Sequence, residues 1–128
     1  MTKLLLAVGL ALASLPLAAQ DAPATAEAAL PNLTLEQRSS LRCGVAFGLI
    51  AKGQAEGDAR AAAYPAMEPR GREFFVRTMA GLMDDHDLTR EHANKLAFET
   101  TMTLMNEGLE AREAMMPNCL LLLEASGV

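Results

Sequence analysis

The sequence contains no tryptophan, one tyrosine and four phenylalanines among 128 residues. A core cannot be built on large aromatic side chains here, so leucine, alanine and methionine must fill it. Long hydrophobic runs are also missing. The longest apolar stretch, at the start, is roughly 16 residues and falls short of the ~20 that a spanning helix needs. Alternation of apolar and polar residues is hard to find over even four positions, which argues against strands. There are only two histidines, and no Gly-x-Ser-x-Gly, His-Glu-x-x-His, phosphate loop or dinucleotide fingerprint occurs. A catalytic triad has nothing to assemble around, and the expectation is a protein that is not an enzyme and has no cofactor. Cysteine is scarce too: Cys43 and Cys119 are the two, and neither belongs to a Cys-x-x-Cys motif or a haem-attachment motif.

Residues 1–19, "MTKLLLAVGLALASLPLAA", have the layout of a secretory signal peptide. Lys3 is the positive end, Leu4 to Leu15 the apolar region, Pro16 the helix breaker, and Ala18 and Ala19 the small residues at a cleavage site. No cysteine follows the apolar region at the position where a lipid-modified one would sit. The expectation is export to the periplasm or the medium, without stable membrane insertion after cleavage. With residues 1–19 removed, 10 basic and 16 acidic side chains remain, a net charge near −6. That disfavours nucleic acid and anionic membrane surfaces as partners.

Export gives the two cysteines a meaning. In an oxidising compartment paired thiols become disulfides, and two cysteines allow one intramolecular pairing, Cys43–Cys119. Closing so long a loop is worth about 4.5 kcal/mol in the chain-entropy model.

Beyond residue 19 the chain reads as a flexible Ala/Pro-rich lead over 20–33, followed by a helical domain over 34–128. "TLEQ" at 34–37 is a helix start, with Thr34 as cap and Gln37 completing a capping box. The first helix runs to about Glu56 with a wide apolar face: Leu41, Val45, Phe47, Leu49 and Ile50. Ser40, Gly44 and Gly48 recur every four residues and predict a close helix crossing there. A short helix is expected near 58–64, ended by Pro65. The next covers about 70–85, with Phe75, Met79, Leu82, Met83 and His86 on one face. Thr89 caps a long helix over about 90–114. That helix carries two stripes, Ala93–Leu96–Ala97–Thr100–Leu104 and Phe98–Met102–Met105–Leu109, which predicts a central position. Gly108 is a place for it to bend, and Pro117 starts a last short helix closed by Gly127. The fold class is therefore all-α, a small bundle of four to five helices with short connections, closed by one disulfide.

Three groups of residues could carry chemistry. Asp84, Asp85, His86, Asp87, Glu91 and His92 crowd one helix–turn–helix corner, and carboxylates with imidazoles are divalent-metal donors. The corner fails as a calcium loop, because Arg90 stands where glycine is needed and Leu96 where a bidentate glutamate belongs. It also reads as a solvated turn or as a pH-sensitive hinge. Met79 with Met83 and Met102 with Met105 form two pairs at helical spacing, suited to Cu(I), to an adaptable binding surface or simply to a core. Arg70, Arg72 and Arg77 could bind an anion, or pair with the nearby Glu68 and Glu73.

The functional expectation is a protein-binding module whose partner is another protein, such as an envelope stress chaperone, an inhibitor or an immunity-type protein. The general plan, exported and helical with one disulfide, resembles that of small acid-stress chaperones of the bacterial periplasm, although no motif of that family occurs in the chain. The alternative is a metal or small-ligand carrier, with copper at the methionines or a divalent ion at residues 84–92.

Overall fold

A computed structural model describes residues 30–128. The signal-peptide expectation for 1–19 and most of the lead lie outside these residues. The described part is helical: α1 spans Leu35–Ala55, α2 Arg70–Asp85, α3 Arg90–Glu107 and α4 Leu109–Ala125, with a single 3₁₀ turn at Ala61–Ala63. No strand occurs among the described residues.

α1 begins where the capping box places it. The Gln37 amide donates to Thr34 Oγ1 at 3.1 Å, and the Thr34 amide donates to Gln37 Oε1 at 3.0 Å. α1 is also the central element, touching α2, α3, α4 and the 3₁₀ turn. Its middle, Leu41 and the unbroken run Cys43 to Phe47, is buried. A helix buried on consecutive positions needs neighbours on several sides, which is what three packed helices provide.

Two apolar clusters flank it. The first joins Cys43, Ala46 and Phe47 to Met67, Phe74, Met116, Cys119 and Leu123. Phe47 and Phe74 meet edge to face, with centroids 5.3 Å apart. Phe75 and Met79 pack half-buried against the second cluster beside Leu82, on the face where the periodicity puts them, and Phe74, off that face, is buried in the first cluster. The second cluster holds Leu33, Leu41, Val45, Leu82, Leu96 and Leu104. Leu33 therefore belongs to the core rather than to a flexible lead. Its buried side chain and the Arg38 Nη2 hydrogen bond to its carbonyl (3.3 Å) tie the chain down one residue before the helix cap.

Cys43 and Cys119 form a disulfide with Cα atoms 5.2 Å apart, across 76 residues of sequence. It sits inside the first cluster and joins α1 to α4.

The close-crossing reading of the small-residue stripe holds at one position. A Cβ on Gly44 would lie 3.2 Å from the Phe75 Cα, so α2 approaches α1 there because glycine lets it. A Cβ on Gly48 would meet nothing within 4 Å. The connection over 58–69 is organised by one side chain that the sequence reading passed over. Gln54 Nε2 donates to the carbonyls of Ala61, Tyr64 and Pro65, and Gln54 Oε1 accepts from the Met67 amide at 3.0 Å. A segment with so little regular structure needs its backbone groups satisfied by such a side chain.

Past residue 89 the helix boundaries differ from the expectation. Instead of one helix over 90–114 and another from Pro117, the break falls at Gly108. Its φ of 90° and ψ of 173° are open to glycine and strained for other residues. Pro117 lies inside α4. An interior proline removes a helix hydrogen bond and costs about 3 kcal/mol. Met116, Cys119 and Leu123, all buried on one face of α4, together with the disulfide, offset that cost.

Candidate functional site

The break at Gly108 changes what the second stripe does. Leu109 is the first residue of α4, and α3 faces the core only through Ala93, Leu96 and Leu104. Phe98, Met102, Met105 and Leu109 are 64, 44, 50 and 39 % exposed. The expectation of a central helix apolar on both sides is thus overturned, and α1 takes that place. Phe98, Met102 and Met105, four and three residues apart on α3, have the spacing of a helix-pairing seam, and Leu109 lies beyond the break as the first residue of α4. What the sequence offered as a second buried face is an apolar strip open to solvent.

Next to the strip, α1, the 3₁₀ turn and the α3–α4 junction enclose a groove of about 520 Å³. Its walls include Leu49, Ile50, Tyr64, Leu109 and Met116. Three cations line it, and two of them are matched: Lys52 pairs with Glu56, and Arg60 Nη1 lies 3.5 Å from Glu113 Oε1. Asp58 is held by the Arg60 and Ala61 amides, which donate to its Oδ1 at 2.9 and 2.8 Å. The third cation is Arg112. Its Nη1 donates to the thioether of Met105 at 2.8 Å, and no carboxylate among the described residues pairs with it.

The 84–92 corner is a helix–helix turn. The Leu88 amide donates to the Met83 carbonyl and the His86 amide to the Leu82 carbonyl, closing α2, with Asp87 at φ 50° between the two helices. Asp87 lies between the two helices, and Glu91 occupies the first turn of α3. Thr89 caps α3, its Oγ1 accepting from the His92 amide at 3.2 Å. Gln37, already in the α1 cap, reaches across: its Nε2 donates to Asp85 Oδ2 and its Oε1 contacts His86 Nε2, both at 3.1 Å. Because Gln37 Oε1 can only accept, His86 Nε2 carries the proton in this contact. Asp84, Asp87 and His92 take no part in that set. Among the described residues, no group of three or more His, Cys, Asp or Glu side chains is placed to hold a metal ion.

The methionines divide. Met79 packs against the second cluster, whereas Met102 and Met105 are exposed. Met83 is half-buried. Of the arginines, Arg77 pairs with Glu73 at 2.5 Å as expected. Arg70 turns instead to α4, donating to Glu124 at 2.9 Å and to the Val128 backbone oxygen at 2.7 Å. At the far end of α3, Arg42 holds Glu107 through two hydrogen bonds, of 3.0 and 2.6 Å. Those bonds and the attraction between the charges keep the Glu107 carboxyl below the usual carboxylate range and Arg42 above its own ordinary value.

Comparison with models of known protein families, with curated proteins and with solved structures gave no match. No helix among the described residues is long and apolar enough to cross a membrane.

Proposed function

We propose that this domain is a non-enzymatic protein-binding module that works outside the cytoplasm and engages its partner through Phe98, Met102, Met105 and Leu109. The observation that carries the reading is the exposure of Phe98, Met102 and Met105 at pairing spacing on α3, with exposed Leu109 following at the start of α4, none of them a member of the two buried core clusters. An apolar strip of this kind on a small protein marks an interaction surface. Two of its four members are methionines, whose unbranched thioethers adapt to differently shaped partners. The disulfide and the signal-like first 19 residues support the location.

The test is site-specific photo-crosslinking in the native host. A crosslinker at position 98 captures a defined partner, one at exposed Arg72 on α2 does not, and Met102→Glu abolishes the capture. Equal labelling from positions 98 and 72, or none from 98, removes the reading.

A further inference from the structure

The groove beside the strip points to a second and separate property. Its walls are mainly apolar, its volume of about 520 Å³ is in the range that encloses a small organic molecule, and its charges are paired except at one point. Lys52 and Arg60 have carboxylate partners in Glu56 and Glu113, and Asp58 is engaged by two backbone amides. Arg112, half-buried on the first turns of α4, has only the Met105 sulfur as a partner among the described residues. A thioether is a weak acceptor, whereas a guanidinium is built to hold a carboxylate through two parallel hydrogen bonds. A molecule with an apolar tail and one carboxylate would satisfy both halves of the groove. The tail would lie along Leu49, Ile50 and Met116, and the head would replace the sulfur on Arg112.

We infer that the groove between α1 and the α3–α4 junction binds an amphiphilic monocarboxylate of the medium-chain fatty-acid class, with Arg112 as its anchor. The groove shares Met105 and Leu109 with the strip, but its walls also come from α1, the 58–64 connection and α4, and Phe98 and Met102 do not line it.

The experiment is a titration of the disulfide-bonded protein with decanoate, below its micellar concentration, followed by calorimetry and amide NMR. Saturable one-to-one binding is expected, with shifts at Leu49, Ile50 and Tyr64. Arg112→Gln binds about tenfold more weakly, the order expected when a charge-assisted contact is lost. Arg72→Gln binds like wild type, and 1-decanol, which has the tail without the charge, binds at least as poorly as decanoate does to Arg112→Gln. Absence of saturation, shifts confined to other parts of the domain, or equal affinity for decanoate and decanol each overturns the inference on wild-type protein alone. Unchanged affinity in a folded Arg112→Gln variant overturns it as well. Crosslinking from position 98 is read separately, so either property can fail without the other.

Discussion

Arg42, near the middle of α1, and Glu107, the last residue of α3, are 65 residues apart and are joined by two hydrogen bonds of 3.0 and 2.6 Å. The contact fixes the end of α3 immediately before the chain turns at Gly108. It therefore holds in register the junction on which both the exposed strip and the groove depend.

The pair gives the protein a defined response to acid. The folded-state acidity of Glu107 is raised by Arg42, so its carboxylate contributes stability at pH values above its unfolded pKa of about 4.3. That contribution is lost as pH falls through the lower folded value. Glu107→Gln should unfold at lower urea than wild type at pH 7, and the gap should narrow as pH falls below about 4.3 and close once the carboxyl is protonated in the folded protein as well. A gap of constant size across that range would contradict the ion-pair account.

Reduction of the disulfide should lower stability substantially. Cys43 and Cys119 are 3 and 1 % exposed and close a loop of 76 residues, for which the chain-entropy model gives about 4.5 kcal/mol. Urea unfolding with and without a strong reductant measures this directly. Equal midpoints would show that the bond constrains nothing the packing does not already hold.

Gly44 and Gly48, four residues apart on one helix, should respond in opposite directions. Gly48→Ala removes a poor helix former where the new Cβ meets nothing, and should stabilise by up to about 1 kcal/mol. Gly44→Leu drives a side chain into the Phe75 backbone and should destabilise by about 1–3 kcal/mol. Thermal melts of the two variants decide the matter, and a stabilised Gly44→Leu would refute the close approach of α2.

Pro117 and Gly108 form a second contrasting pair. Pro117→Ala restores a backbone donor inside α4 and should raise the melting temperature. Gly108→Ala forces a Cβ onto a residue at φ 90° and should lower stability by about 1–2 kcal/mol, with a lower melting temperature. Were Gly108→Ala neutral, the break between α3 and α4 would not depend on glycine.

Local features of the fold were readable residue by residue. Thr34 and Gln37 lie three residues apart, and a capping box needs nothing beyond that turn. α3 begins as expected, because Thr89 caps it through a contact within its own first turn. The disulfide followed from counting, since two cysteines have one partner each. Errors arose where two local signals competed. Gly108 and Pro117 both interrupt a helix in isolation, and only the burial of Met116, Cys119 and Leu123 shows that the chain continues through the proline and turns at the glycine. Gln54 gave no signal, because its four partners are 7 to 13 residues ahead in an irregular segment.

The amino-acid sequence by itself determined that this protein is helical, where its first three helices begin, and which sulfurs join, because caps, periodicity and cysteine number act over a few residues or by exclusion. Tertiary structure decided which of the two apolar stripes on α3 is covered, and it alone brought residues 46–64 together with 105–116 to form a groove around Arg112. Periodicity marks a face as apolar, but only the number of neighbouring helices fixes whether that face is buried. Here α1 takes up those neighbours, and the strip from Phe98 to Leu109 is left to solvent.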